Sequence, residues 1–302
     1  MINSNNLILV EKILLTGATG FLGSHILKRL IEVGENVVIL VREKSNTDRI
    51  KDLKGFSTFI MNKQFSNIED LYKKHNINTI IHVATEYGRN SSYSSVLMSN
   101  VLFPIRLIEL ADKNNLKLFI NTDTFSSKFQ DSSYLKEYIS SKFFFKGYLK
   151  SLLHLQVFNL QLEHVFGEFD SKGKFVTFLL ESMLSNQKSI KLTKGSQKRD
   201  FIYVSDVVDA YMIVLKSKHI LENYKEFEVG RGFSITVKEF VSKIHSIIGS
   251  KSDLLFGALE TRHDEIQDSK ANNLDLCSLG WKPKFTIDMA IKRILNVIND
   301  PL

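Results

Sequence analysis

The chain has 302 residues, 43% of them hydrophobic, with 40 Lys and Arg against 33 Asp and Glu. That is enough to bury a substantial core, as one large domain or two smaller ones. The net charge of +7 comes from lysines scattered among acids, which speaks against a nucleic-acid reader and leaves some positive potential useful for phosphorylated ligands. One cysteine, Cys277, excludes an internal disulfide and a thiolate zinc cluster, and no metal site is expected. No run of 18 or more uncharged apolar residues occurs, so no membrane span is predicted. The opening "MINSNNLILVEK" lacks the basic region and cleavage site of a signal peptide. A cytoplasmic, reducing setting is expected.

The first element is the short apolar run Ile13-Leu14-Leu15, which predicts a buried parallel strand. After it, Leu22, Ile26 and Leu30 recur at helical spacing, with Leu27 and Ile31 beside them. Gly17, Gly20 and Gly23 therefore fall on a strand-to-helix turn, with Thr19 and Phe21 between them. Glycines there permit tight backbone and let a pyrophosphate approach the amides at the helix N-terminus. A glycine-rich turn without a ligand is the competing reading; the strand before and the helix after favour a dinucleotide site.

Val37 to Val41 form an unbroken aliphatic strand, ending at Arg42. A dinucleotide site usually carries a carboxylate near this point, bonded to the adenosine ribose hydroxyl. An arginine instead pairs with a 2′-phosphate, which a carboxylate would repel. Arg42, with Lys44 and Ser45 beside it, predicts NADP over NAD; its alternative is a solvated arginine at a strand end.

Further on, Thr58 to Asn62 and Ile77 to Thr85 are predicted strands, and Asn100 to Asn114 a helix. Leu116 to Thr122 is a strand, Tyr138 to His154 a long helix, and Leu155 to Leu162 a closing strand. Repeated βα units imply an α/β fold with a doubly wound parallel sheet of Rossmann type. A dinucleotide-binding domain is expected over 1–166 and a smaller, mixed substrate-binding lobe over 167–302. Within the latter, about 200–230 is expected to return to the main body through strands at Asp200 to Val204 and Phe227 to Gly230.

"YISSK" places Tyr138 and Lys142 four apart on a predicted helix, hence on one face. A nearby ammonium favours the phenolate and brings the tyrosine toward the range that carbonyl–alcohol interconversion needs. The preceding strand ends in Thr122 and Thr124, where ligands of open α/β sheets lie. Either hydroxyl can polarise a substrate carbonyl, or cap the following turn.

These stretches, with "TGATGFLGSH", "IHVAT", "SNV", "QKRDFIYVSDVVDAY" and "LGWKPKF" in order from about residue 12 to 285, resemble the extended short-chain dehydrogenases, the NAD-dependent epimerase/dehydratase family acting on nucleotide sugars. "INTDTF", "LQLEHVFGEFD" and "FGALETRHDEI" look most like members that reduce a 4-keto-3,6-dideoxy sugar carried on CDP. The resemblance implies that Gly17, Thr19, Gly20, Phe21, Gly23, Arg42 and Ala84 bind NADP(H). It makes Tyr138 the acid/base group and Lys142 its partner and a ligand of the nicotinamide ribose. Thr122 is the catalytic threonine, with Thr124 the fallback. Thr85, Arg199 and Arg262 would bind the nucleotide-diphosphate sugar, the arginines gripping its diphosphate; His164 is a further substrate-binding candidate, with a structural role as the competing reading.

Gln161 and His164 stand where relatives often have Arg and Asn, and Thr122-Asp123 is followed by Thr124 where dehydratases carry glutamate. The expected function is therefore an NADPH-dependent C4-keto reductase for surface polysaccharide synthesis. The alternatives are a nucleotide-sugar 4-epimerase with tightly bound NAD and a non-catalytic NADP-binding sensor. Phe143, Phe144 and Phe145 are consecutive and span about 200° of a helix, more than one buried face covers. Either the extra phenylalanine packs under a loop or it meets another subunit; as relatives commonly dimerise through this helix and the one before it, around Asn100 to Asn114, a homodimer is expected.

Overall fold

The computed structural model describes residues 11–113, 115–129 and 135–299; the segment 1–10 and the expected helix end at Asn114 lie outside these. In chain order the first half runs β1 (Lys12–Thr16), α1 (Phe21–Glu32), β2 (Val37–Arg42), β3 (Phe56–Met61), α2 (Ile68–Lys74), β4 (Ile77–His82), α3 (Tyr93–Leu97), α4 (Phe103–Asp112), β5 (Leu118–Thr124), α5 (Lys136–Ser151) and β6 (Gln156–Leu162). The second half runs β7 (His164–Phe166), α6 (Phe175–Leu184), β8 (Ser189–Leu192), β9 (Lys198–Arg199), β10 (Phe201–Tyr203), α7 (Val204–Lys216), β11 (Tyr224–Val229), β12 (Ile235–Thr236), α8 (Val237–Ile248), β13 (Asp253–Phe256), β14 (Asp268–Ser269), α9 (Leu274–Ser278) and α10 (Ile287–Asn299).

Seven strands form the central parallel sheet, in the order β11-β6-β5-β4-β1-β2-β3. The order reverses at β1, whose Leu14 is flanked by Val38 of β2 and Ile80 of β4. This is the doubly wound arrangement expected from the alternating pattern, and such sheets take ligands beyond the carboxyl ends of strands at the reversal. Helices cover both faces, so β1, β2 and β4 are almost continuously apolar and buried. Of the two strands expected to return to this sheet, the one at Phe227 to Gly230 does so through Phe227 to Val229 of β11. Asp200 to Val204 does not: β10 pairs with β7 in a separate two-stranded sheet, and Val204 already opens α7.

The chain divides into two compact units, Met1–Asn121 with Phe144–Phe158, and Thr122–Phe143 with Asn159–Leu302. In the first, α1 buries Ile26, Leu27 and Leu30 completely, each worth about 1.5–3 kcal/mol of burial. The helix expected from Asn100 begins earlier, as α3 at Tyr93, and passes through a π-turn at Met98–Leu102 before α4. By length and composition alone Tyr93–Ala111 could cross a membrane, yet Val96, Asn100, Leu107, Ile108 and Ala111 are buried and the Leu107 carbonyl accepts from the Tyr72 hydroxyl at 2.9 Å.

In the second unit, Phe240 of α8 stacks on Phe201 of β10 with centroids 3.6 Å apart. A capping box of Thr236 and Glu239 starts α8, and Gly249, at φ 69°, ends it. Two buried aspartates organise the loops. Asp200 accepts the backbone amides of Arg231, Gly232 and Ala271. Asp206 accepts those of Lys284 and Phe285 and lends its carbonyl to the Trp281 indole, which fastens "LGWKPKF" onto α7. On α5, Phe145 is fully buried, whereas Phe143 and Phe144 are 43% and 55% exposed.

Candidate functional site

The glycine turn lies wholly in the first unit. Gly17 sits at φ 72°, and a Cβ there would come within 2.6 Å of the Ala84 backbone nitrogen. A Cβ at Gly23 would lie 2.0 Å from the Gly17 carbonyl oxygen. These two glycines are demanded by backbone packing. Gly20 differs: it is exposed, a Cβ would meet only the Gly17 oxygen at 3.2 Å, and it is the N-cap of α1 with no side-chain capping bond and no acid in the first turn. Among the described residues no side chain is bonded to the first-turn amides, which is the arrangement an anionic pyrophosphate fits. Phe21 opens the helix, and the Thr19 carbonyl accepts from Arg49 at 3.4 Å.

Thr16, at the end of β1, was not anticipated. Its buried hydroxyl is 2.8 Å from His82 Nδ1 and takes the amides of Val83 and Ala84, both at 3.2 Å. It thereby draws Ala84 against Gly17. Asn100, in the π-turn, does the same for the next residues: its Oδ1 accepts from the Glu86 amide at 2.7 Å and from Thr85 Oγ1 at 3.4 Å, and its Nδ2 donates to the Glu86 carbonyl. The motif "SNV" marked this residue without revealing its role. Arg42 closes β2 with an exposed side chain, its amide bonded to Ser45 Oγ at 3.0 Å.

In the second unit the structure brings Thr122, Tyr138 and Lys142 together. Lys142 is buried and its Nζ donates to the Thr122 carbonyl at 2.8 Å, 5.9 Å from the centre of the Tyr138 ring. Burial holds this ammonium down to about 8, opposed by the negative Asp123. Thr122 is half-buried and its hydroxyl lies 2.6 Å from Tyr211 Oη. Thr124 is buried and its hydroxyl caps the next turn by accepting the Ser126 amide. Between them Asp123 receives the Thr124 amide, Ser127 Oγ, Asn159 Nδ2 and Gln161 Nε2 at 2.8–3.3 Å. Gln161, where relatives often have arginine, thus holds Asp123, and it also donates to Glu226.

Arg199 is buried on β9 and bonds the carbonyls of Lys198 and Ile266 and the carboxylate of Glu265. Arg262 is exposed and lies 3.7 Å from the other oxygen of Glu265. Both predicted diphosphate ligands thus converge on one carboxylate that the sequence did not single out. His164 packs 4.3 Å from the Phe125 ring, with Nδ1 buried, unbonded, and 3.7 Å from Glu163. Burial, helped by Arg199, lowers this imidazole to about 3, so it is neutral. Glu163 is buried against Ser269 Oγ, and burial raises its carboxyl to about 7. Among the described residues no group of three or more His, Cys, Asp or Glu is placed to hold a metal ion.

A doubly wound sheet with a pyrophosphate-shaped turn after β1 defines a dinucleotide-binding α/β protein. The chain belongs to the NAD dependent epimerase/dehydratase family, whose profile matches residues 13–230, and this family is NAD(P)-dependent. It is 36% identical over 301 residues to the CDP-abequose synthase of Salmonella typhimurium strain LT2, across 95% of this chain and 98% of that one. The CDP-abequose synthase of Salmonella muenchen is 38% identical over 297 residues, with the same coverage. Among solved structures, the UDP-glucose 4-epimerase of Thermus thermophilus in complex with NAD matches with a TM-score of 0.81, at 19% identity, over 97% of this chain and 100% of that one. That last likeness is one of fold.

Proposed function

We propose that the protein is an NADPH-dependent reductase of the C4 ketone of a 4-keto-6-deoxy or 3,6-dideoxy sugar carried on CDP, serving surface polysaccharide (O-antigen) synthesis. The observation that carries the reading is the Thr122–Tyr138–Lys142 cluster at the end of β5. Two CDP-abequose synthases at 36% and 38% identity support the choice of substrate class and carrier.

NADPH held at the glycine turn would supply the hydride for C4. Tyr138 gives the proton to the developing alkoxide, Lys142 keeps positive charge beside that phenol, and Thr122 hydrogen-bonds the ketone oxygen. Thr124 is spent on its cap, which favours Thr122 over the fallback. Asp123 is engaged by four donors and no glutamate follows it, which favours reduction over elimination of water. On the cofactor side, the turn of Gly17, Thr19, Gly20, Phe21 and Gly23 takes the pyrophosphate, Ala84 borders it, and Arg42 reads the 2′-phosphate. The lobe over 167–302 takes the sugar nucleotide through Arg199 and Arg262, with His164, just before it, and Thr85 also at the sugar. The exposed Phe143 and Phe144 favour a homodimer through α5.

The test is NADPH oxidation by purified protein given a CDP-4-keto-deoxysugar, expected to be stoichiometric with product. Conversion without net oxidation would make it a 4-epimerase with tightly held NAD; cofactor binding without turnover would make it a sensor. A thermal-shift panel of CDP, UDP, GDP and dTDP with NADPH tests the carrier, since a ligand at a hundred times its Kd stabilises by about 2.7 kcal/mol. A clear preference for another base overturns CDP.

A further inference from the structure

We propose that Tyr211 is a positioning residue that sets the polarity of the Thr122 hydroxyl, donating its own proton to Thr122 so that Thr122 presents a proton to the ketone oxygen. The first half concerns the protein alone; the second rests on the reductase reading.

Tyr211 lies on α7 with no solvent exposure, and its hydroxyl is 2.6 Å from Thr122 Oγ1. Distance alone permits either oxygen to be the donor. The surroundings decide. A fully buried phenolic O–H that accepted from Thr122 would keep its own proton away from this acceptor, and an unmade bond there costs the desolvation of the donor. Phenol is also the stronger acid of the two hydroxyls and so the better donor. Burial raises the Tyr211 phenol above its ordinary value; the Thr122 hydrogen bond opposes this and the negative Asp123 adds to it, and burial prevails, so the proton stays on at every working pH. Thr122 differs from Tyr211 in being half-buried. With one lone pair taken by Tyr211, its proton is free for a partner on the accessible side. The bond that Lys142 Nζ makes to Thr122 goes to the backbone carbonyl, not to the hydroxyl.

This is a different use of tyrosine from that of Tyr138. Tyr138 exchanges a proton in the proposed reaction, whereas Tyr211 never gives its proton up. Without Tyr211, the Thr122 hydroxyl is free to rotate, and the hydrogen bond to the ketone oxygen must be made from several rotamers.

Tyrosine labelled with ¹³C at Cζ tests the polarity in half-deuterated water, without cofactor. A buried donating hydroxyl exchanges slowly and shows separate protonated and deuterated signals, which Tyr211→Phe assigns. Thr122→Val should shift and merge the Tyr211 pair; an unchanged pair would overturn the donation. Kinetics test the consequence. Tyr211→Phe should lower kcat about tenfold, the worth of one hydrogen bond, with KM for NADPH unchanged. In a Thr122→Val background it should lower kcat no further, whereas a full additional tenfold loss would overturn the role. Absence of NADPH oxidation by the unaltered protein would refute the reductase reading, and with it the second half of the proposal, while the labelled spectra still decide the first.

Discussion

Lys142 Nζ is anchored on the Thr122 carbonyl oxygen, 2.8 Å away, so the backbone that carries the threonine also holds the ammonium. Because burial holds this group at about 8, the charge is present below that pH and lost above it. On the proposed reductase reading, the rate of NADPH oxidation should accordingly decline as pH rises through about 8, and Lys142→Met should lower kcat by roughly a hundredfold and abolish that limb. Unfolding gives a second readout. The unfolded lysine, at 10.5, holds a proton that the folded one has released between pH 8 and 10.5, so this group's contribution to stability rises across that window. Urea unfolding of Lys142→Met should lack the rise; an identical pH dependence in both proteins would refute the assignment.

Glu163 works in the opposite direction. Its carboxyl is raised from 4.5 to about 7 by burial. The folded protein therefore binds the extra proton, and the stabilisation is full below pH 4.5 and lost as pH rises through 7. The span corresponds to at most about 3.5 kcal/mol. Glu163→Gln should flatten stability between pH 5 and 7.5, measured by denaturant midpoint, and a curve parallel to that of the unaltered protein would count against it.

The glycines of the turn separate packing from ligand approach. Gly23→Ala would place a Cβ 2.0 Å from the Gly17 oxygen and should destabilise by about 3 kcal/mol or more. Gly20→Ala meets the same oxygen only at 3.2 Å, so Tm should hold. Its methyl should instead weaken NADPH binding by roughly tenfold, or about 1.4 kcal/mol, read by calorimetry. Equal melting losses in both variants would show that Gly20, too, is structural.

Arg42 is tested by cofactor choice. Arg42→Ala should weaken NADPH binding about tenfold to a hundredfold, the worth of a charge-assisted contact, and leave NADH nearly unaffected. Equal losses for both cofactors would mark the arginine as a strand-end residue with no phosphate to read.

Much of this protein is determined by local sequence. The apolar runs of β1, β2 and β4 and the helical repeat of Leu22, Ile26 and Leu30 specify buried strands and an amphipathic helix, because side-chain period follows backbone geometry. The glycine spacing and the Tyr138–Lys142 interval are equally legible, since each lies within one turn or one helix. What tertiary structure decided are the partnerships between residues far apart in the chain. Tyr211 meets Thr122 across 89 positions, Gln161 meets Asp123 across 38, and Arg199 meets Glu265 across 66. Nothing in the local pattern marks those pairs, because a hydrogen bond depends on an approach of about 3 Å that only the packing of whole elements supplies. For the same reason "DFIYV" was legible as a strand while its neighbour, β7, was not: strand propensity is local, but the edge a strand joins is settled by the fold.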